Sequence, residues 1–199
     1  MAKCRMVLAF TVILVGICLC SCKIEKISSK KTKDVEYTIV PENEIPQEVK
    51  KVIDEKKGGP FGAAIVDKNN KIISIGSNEV LKSKDPTAHA EIVAIRKACK
   101  ELNTYDLSEY DLYTTCEPCP MCLSAIIWAN IKKIYYGCTK EDADKIGFRD
   151  NMIYEYLSGE NKKLINLEQI DREECIKIFE KYQKQNGTIY WNYKEFIVK

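Results

Sequence analysis

"DPTAHAEIVAIRKACKEL", residues 85–102, predicts the helix around which this chain folds. Ile92 and Ile95 have the spacing that places apolar side chains on one face of an α-helix. Pro86 or Thr87 suits the first helical turn. A helix in the middle of the chain has to pack its apolar face on other elements, so the flanking segments decide the fold class.

The flanking segments are rich in β-forming residues. "PFGAAIVD" (60–67) and "KIISIGSN" (71–78) are separated by "KNN", which is typical of a β-hairpin. "YDLYTT" (110–115) and "KKIYYGC" (132–138) predict two further strands. "PCPMCLSAIIWAN" (118–130) lies between these two strands and predicts a second helix that opens with proline.

The last third of the chain adds less regular patterns. "KKLINLEQ" (162–169) suggests another strand, and "DREECIKIFEKYQKQ" (171–185) predicts a helix. Upstream, the segment that begins at Pro41 suggests a short helix closed by Gly58 and Gly59. The order of elements predicts an α/β protein with three layers, α/β/α, and a mixed central sheet of about five strands.

Chain length indicates one domain, and net charge argues against a nucleic-acid-binding protein. A chain of 199 residues is long enough for one domain with a hydrophobic core. The 31 basic and 29 acidic side chains nearly balance, at a net charge of +2. This balance gives no basic field of the kind that nucleic-acid-binding proteins present.

The N-terminus has the pattern of an export signal. Lys3 and Arg5 precede an uncharged apolar run that extends over residues 6–20. This run has the length of a signal-peptide core and is short for a membrane-spanning helix. The junction "LCSC" resembles a bacterial lipoprotein cleavage box, in which Cys22 becomes the lipidated first residue.

These features predict three segments. Residues 1–22 are expected to be a signal or lipoprotein-type segment, residues 23–40 a flexible tether, and residues 41–199 the folded domain. The domain is then exported or lipid-anchored at the cell membrane. A permanently inserted anchor and a simple cleaved signal are the alternatives, and without a working signal the protein is cytoplasmic.

The candidate metal ligands are one histidine and a run of cysteines. His89 is the only histidine in the chain, and "CEPC" (116–119) follows the third predicted strand. An imidazole with the thiolates of Cys116 and Cys119 makes three ligands, which leaves the fourth position of a tetrahedral zinc ion open to water. This count predicts a catalytic zinc site, unless Cys122 is a further ligand.

Glu91 is the candidate acid–base residue. It is too close in sequence to His89 to be a comfortable second ligand, but it can reach a water molecule beside the metal. Zinc lowers the pKa of such a water towards about 7, and an adjacent glutamate can shuttle protons between water and substrate. The pair therefore predicts a hydrolytic enzyme; a zinc protein without activity is the alternative from another class.

The motifs resemble those of a known superfamily. H-x-E followed by P-C-x-x-C is the signature of zinc nucleobase deaminases, and it occurs here as "HAE" (89–91) and "PCPMC" (118–122). Together with "GGPFGAAIVD", "DPTAHAEIVAIRKAC", "LYTTCEPCPMCLSAIIWA" and "GFRDNMIYEY", these residues resemble the cytidine deaminase-like superfamily, and its bacterial guanine deaminases in particular. The resemblance covers about residues 45–158 and implies the cytidine deaminase-like fold.

The resemblance also implies roles for individual residues. It assigns zinc to His89, Cys116 and Cys119, proton transfer to Glu91, and a packing role to Cys122. The residues that it places against the substrate are Asn78, Asp150, Phe61, Ala90 and Trp128. Arg149 stands where these enzymes commonly carry a second aspartate.

The implied function is the zinc-dependent conversion of guanine to xanthine and ammonia. Guanine deaminases of this type form homodimers in which an exchanged C-terminal tail closes the neighbour's site, so Phe196 or Tyr193 is expected to act as that lid. The expected partners are thus a purine base and a second copy of the chain, with no nucleic acid. Deamination of adenosine in tRNA, or of free cytosine or adenine, is the alternative within the superfamily.

Overall fold

The computed structural model describes residues 38–39, 42–54 and 56–190. The predicted signal segment and nearly all of the tether lie outside this part of the chain, as do Cys22, Tyr193 and Phe196. The export signal, the lipidation of Cys22 and the lid role of Tyr193 or Phe196 therefore stay predictions. Within the described residues, no helix is both long and apolar enough to span a membrane.

The central element is a five-stranded sheet. Its strands are β1 (Thr38–Ile39), β2 (Gly62–Val66), β3 (Lys71–Ser77), β4 (Asp111–Cys116) and β5 (Ile134–Cys138). Their order across the sheet is β1-β3-β2-β4-β5. All neighbours are antiparallel except β4 and β5, which run parallel because the helix Pro120–Trp128 connects them. This confirms the predicted mixed sheet.

Seven α-helices accompany the sheet in the described residues. They are α1 (Ile45–Lys51), α2 (Val80–Ser83), α3 (Ala90–Leu102), α4 (Pro120–Trp128), α5 (Lys140–Lys145), α6 (Asn151–Ser158) and α7 (Arg172–Lys184). The strongly patterned stretches thus form the predicted helices, with their first residues shifted.

Two apolar clusters hold the layers together. On one face of the sheet, Ala94 and Ile95 of α3 and Ile126 of α4 pack against strand residues such as Ile65. On the other face, Ile45 and Val49 of α1 pack in a cluster with residues of β2, β3 and β4. Strand β2 is buried on both faces, as a central strand must be. The three-layer α/β/α architecture is therefore confirmed.

The start of α3 differs from the prediction. Asp85 accepts hydrogen bonds from the backbone N–H and the hydroxyl of Thr87, at 2.8 and 2.7 Å. These contacts close a turn over "DPTA", so the helix begins at Ala90 and not at Pro86 or Thr87. The later start puts His89 at the N-cap.

Two other boundaries also differ. Thr38–Ile39, which the sequence placed in the tether, pair with β3 at the edge of the sheet. The segment 162–169 forms no strand, because it pairs with no strand of the sheet and its apolar side chains stay exposed, Leu167 at 80%. The five strands are thus completed by β1 and not by this segment.

Candidate active site

Three potential metal ligands meet at the N-termini of two neighbouring helices. His89 is the N-cap residue of α3 and Cys119 is the N-cap residue of α4, both with extended backbone. Cys122 lies in the first turn of α4, three residues after Cys119, and residues with this spacing share one face of a helix. Because α3 and α4 pack side by side, these three side chains converge.

The three ligand atoms have the separations that zinc requires. The Sγ atoms of Cys119 and Cys122 each lie 3.6 Å from Nδ1 of His89, and all three atoms lie within 4.8 Å of one another. In tetrahedral coordination, Zn–S bonds of about 2.3 Å and Zn–N bonds of about 2.0–2.1 Å separate a sulfur from a nitrogen ligand by about 3.6 Å. The residues therefore fit a zinc ion with three protein ligands and one open position.

The ligand set differs from the predicted one at one residue. Cys116, predicted as the first thiolate, is the last residue of β4, and its Sγ lies 3.5 Å from the carbonyl oxygen of Thr139. It is not part of the three-atom group, whereas Cys122, predicted as a packing residue, is. The reason is local: Cys116 is on a strand, while Cys119 and Cys122 share the first turn of α4.

The electrostatics single out Cys119 among these three cysteines. A hydrogen bond from Cys122, together with one from His89, lowers the pKa of Cys119 to about 4. Burial raises the pKa of Cys116 to about 11. At neutral pH Cys119 is therefore a thiolate, the form that binds metals, whereas the pKa of Cys122 is raised, chiefly because its thiol donates the hydrogen bond to Cys119.

Glu91 lies directly behind the metal ligands. It is 6% exposed; its Oε1 lies 3.3 Å from the hydroxyl of Thr114, and its Oε2 lies 3.5 Å from Sγ of Cys122. Burial raises the pKa of its carboxyl. A raised pKa brings a carboxyl closer to neutrality, where it can both accept and release protons, so Glu91 is suited to acid–base work.

A cavity of about 690 Å³ opens in front of these groups. The metal ligands His89 and Cys119 and the carboxylate of Glu91 form part of its wall. Three of the predicted substrate contacts, Asn78, Asp150 and Phe61, also line it. The structure thus brings segments that are distant in sequence to one concave site.

Two polar side chains of the cavity wall are shielded from solvent to different degrees. Asn78 is 5% exposed, and its Oδ1 accepts a hydrogen bond from the backbone N–H of Val80 at 3.2 Å. Asp150 is the N-cap residue of α6, and burial raises the pKa of its carboxyl. An amide and a carboxylate together offer donors and acceptors to a flat polar ligand.

Two predicted substrate contacts are not part of the cavity wall. Ala90 is fully buried and packs in the core between α3 and the sheet. Trp128 lies at the end of α4 and is 57% exposed. In this chain neither side chain faces the cavity, because Ala90 points into the core and Trp128 lies far along α4 from its metal-binding end.

Other wall residues were not singled out in the sequence. Phe148 packs edge-on against Phe61, with ring centroids 4.9 Å apart and planes at 87°. A Cβ atom on Gly59 would lie 2.9 Å from both rings, and one on Gly58 would lie 2.0 Å from Oδ1 of Asn78. The prediction that the glycine pair closes a helix is therefore wrong, because α1 already ends at Lys51. The two glycines instead leave space for the side chains of the cavity wall. The sequence signal for this role was that the two glycines directly precede Pro60 and Phe61, where β2 is about to begin.

Arg149 also lines the cavity. Its Nε lies 2.6 Å from Oδ1 of Asp144, and 72% of its side chain is exposed. The guanidinium is thus paired with a carboxylate outside the metal site, and Asp150 remains the acidic group of this loop that faces the cavity.

Comparison with known proteins places these features in a family. Residues 43–138 match the cytidine and deoxycytidylate deaminase zinc-binding region. The chain is 56% identical over 100 residues to guanine deaminase of Bacillus subtilis, an alignment that covers 50% of this chain and 64% of that enzyme, slightly less than two thirds of its length. It is 38% identical over 125 residues to a tRNA-specific adenosine deaminase of Buchnera aphidicola, covering 63% of this chain and 80% of that protein.

A solved structure agrees with the sequence matches. The crystal structure of guanine deaminase from Bacillus subtilis superimposes with a TM-score of 0.68 and 39% identity, covering 77% of this chain and 99% of that one. The matched region contains the three metal ligands and Glu91. With its sheet, its paired helix N-termini and its His–Cys–Cys group, this chain belongs to the family of cytidine and deoxycytidylate deaminases with this zinc-binding region.

Proposed function

We propose that this protein is a zinc-dependent guanine deaminase, which converts guanine and water to xanthine and ammonia. The observation that carries the proposal is the His89–Cys119–Cys122 group with a buried Glu91 beside it at the wall of a cavity. The similarity to the Bacillus enzyme supports guanine as the substrate. A zinc ion used only for folding has no need of a buried carboxylate next to its ligands.

The residues divide the work of hydrolysis. His89, Cys119 and Cys122 hold the zinc, which when bound activates water as a nucleophile. Glu91 takes the first proton from the water and delivers it to the purine ring nitrogen; it then takes the second proton from the hydroxyl added to C2 and passes it to the departing amine. The C2–N bond breaks, the water oxygen stays on C2, and the amine leaves as ammonia.

Residues of the cavity wall support guanine as the substrate. The carboxylate of Asp150 can accept hydrogen bonds from the N–H groups that guanine presents beside C2. Asn78 supplies an amide to the opposite polar edge, and Phe61 and Phe148 contribute apolar surface for the ring. Adenine and cytosine present different patterns of donors, and tRNA requires a basic surface that a chain of net charge +2 does not suggest.

The test is ammonia release by zinc-loaded protein. Guanine, adenine, cytosine, guanosine and a tRNA anticodon stem are supplied separately, with chelator-treated protein as the control. We expect kcat/KM for guanine to exceed that for the other substrates by at least about 100-fold, because a site built to bond a substrate N–H rejects bases that lack it. Activity on another substrate without activity on guanine contradicts the substrate assignment and leaves the family unchanged.

The proposal includes a homodimer with exchanged C-terminal tails. Apolar side chains are exposed on α4, with Ile127 at 42% and Trp128 at 57%, and on α7, with Ile178 at 67% and Phe179 at 69%. Surfaces of this kind are typical of protein–protein contacts. A second copy of the chain supplies a matching apolar surface, and its tail, with Phe196, is proposed to close the neighbouring cavity.

Mixing two inactive variants tests the exchange. One variant carries Glu91→Gln, and the other lacks residues 188–199. If tails are exchanged, a mixed dimer has one site with both an intact Glu91 and an intact partner tail, so we expect mixing to restore ammonia release. The control is each variant mixed with itself. Two variants that stay inactive together, while native mass spectrometry shows that they form mixed dimers, would contradict the exchange.

A further inference from the structure

Thr114 holds its hydroxyl between two acceptors in the interior of the protein. The residue lies on β4, paired with Ala63 of β2 and Tyr136 of β5, and is 7% exposed. Its Oγ1 lies 3.3 Å from Oε1 of Glu91 and 3.4 Å from the carbonyl oxygen of Gly62. A hydroxyl has one proton to donate, so it can satisfy one of these acceptors at a time.

The carboxylate is the stronger of the two acceptors. A hydrogen bond to an ionised oxygen is roughly twice as strong as one to a neutral carbonyl. Whenever Glu91 is ionised, the proton of Thr114 therefore points at Oε1. Thr114 donates this hydrogen bond from β4, a strand inside the sheet. Groups on strands and helices are held more precisely than groups on loops.

The two oxygens of Glu91 then have different surroundings. Oε1 faces Thr114 and the sheet, whereas Oε2 lies 3.5 Å from Sγ of Cys122, one of the three metal ligands. If Oε1 is held at the sheet, the carboxylate cannot rotate about its last side-chain bond. The oxygen that remains next to the metal site is Oε2.

We propose that Thr114 is a positioning residue, which anchors Oε1 of Glu91 so that Oε2 is the oxygen that transfers protons in the reaction. The effect on turnover rests on the deaminase function proposed above. The anchoring itself concerns only the orientation of Glu91. The hydroxyl does not line the cavity and reaches substrate only through the carboxylate.

Two substitutions separate the hydroxyl from the shape of the side chain. Thr114→Val removes the donor and keeps a branched side chain of similar size, and Thr114→Ser keeps the donor and removes the methyl group. Thr115→Val is the matched control on the next residue of β4. The hydroxyl of Thr115 accepts from the backbone N–H of Gly62 at 3.1 Å, and successive side chains of a strand point to opposite faces of the sheet.

The variants are measured as zinc-loaded full-length chains with guanine. For Thr114→Val we expect kcat to fall at least about tenfold, because a general base that is out of place loses much of its contribution, while KM changes less than about threefold. Thr114→Ser and Thr115→Val are expected to stay within about threefold of the parent in kcat. Zinc content is expected to be one ion per chain in all variants.

Crystal structures of the parent and Thr114→Val provide a readout that needs no turnover. We expect the carboxylate of Glu91 to rotate or occupy more than one orientation in Thr114→Val, and to keep its orientation in Thr114→Ser. An unmoved carboxylate in Thr114→Val, a smaller loss of kcat, or an equal loss in Thr114→Ser overturns the proposal. If the parent releases no ammonia from guanine, the deaminase proposal fails, and the orientation of Glu91 still decides the role of Thr114.

Discussion

Replacing Glu91 by glutamine is expected to lower kcat by about 10²- to 10⁴-fold, the range that a positioned general acid–base contributes. The carboxamide has nearly the same shape as the carboxylate and can still accept a hydrogen bond from Thr114 at Oε1. It cannot take up a proton near neutral pH. The step that moves protons from water to the purine and the leaving amine is therefore lost, while the ligands of the zinc remain in place.

The folded state is expected to tolerate this change. Burial raises the pKa of Glu91, so the folded protein holds this proton more tightly than the unfolded chain does. In metal-free protein its contribution then makes stability fall as pH rises above the ordinary pKa of glutamate. Glutamine removes that contribution, so we expect the Tm of Glu91→Gln at neutral pH to be at least that of the parent.

The measurements are ammonia release and zinc content of the zinc-loaded protein, and thermal unfolding of the same preparations after the metal has been removed with a chelator. Glu109→Gln, the same substitution at an exposed residue of the loop before β4, is the matched control and is expected to leave kcat unchanged. Near-parental turnover by Glu91→Gln with bound zinc would show that another group moves the protons, and the mechanism proposed here would be wrong.

Replacing Cys122 by serine is expected to abolish zinc binding at micromolar metal and, with it, the turnover of guanine. A serine hydroxyl keeps its proton at neutral pH and offers no thiolate to the metal. Changing an outer partner of a ligand already costs about 10- to 100-fold in metal affinity, so losing one of three ligands costs more. Cys119 and His89 alone leave an incomplete site.

Cys116→Ser is the matched control for this prediction. It changes the same side-chain type in the same short segment, yet Cys116 lies on β4 with its Sγ against the carbonyl oxygen of Thr139. We expect this variant to keep one zinc ion per chain in a metal analysis after dialysis. Zinc retained by Cys122→Ser and lost by Cys116→Ser would show that the ligand set first predicted from the sequence is the correct one.

These two cysteines illustrate a limit of reasoning from spacing. Cys116, Cys119 and Cys122 form two overlapping C-x-x-C pairs, and either pair combined with His89 gives three ligands. The choice depends on where β4 ends and α4 begins. Element boundaries are the least reliable part of a sequence-based prediction, and here a boundary between residues 116 and 120 decides which sulfur atoms face the metal.

The cavity wall shows the same limit in another form. Asn78 and Asp150 could be named because the resemblance placed them, but Phe148 and the role of Gly58 could not. Phe148 and Gly58 form part of the cavity wall only because the loop after α5 comes close to the segment before β2. No local pattern of apolar or polar residues records such a long-range contact, whereas the edge-on pair of Phe61 and Phe148 shows it directly.

The sequence by itself determined the α/β class, the mixed sheet, and the partnership of His89 and Glu91 with a cysteine pair. Hydrophobic periodicity and motif spacing are local properties, and they survive in the sequence whatever the chain packs against. Only the tertiary structure decided which cysteine joins the metal site, that Trp128 faces outward, and that Thr114 stands behind Glu91. These outcomes depend on how α3 and α4 pack against each other and against β4, which brings together atoms that are distant along the chain.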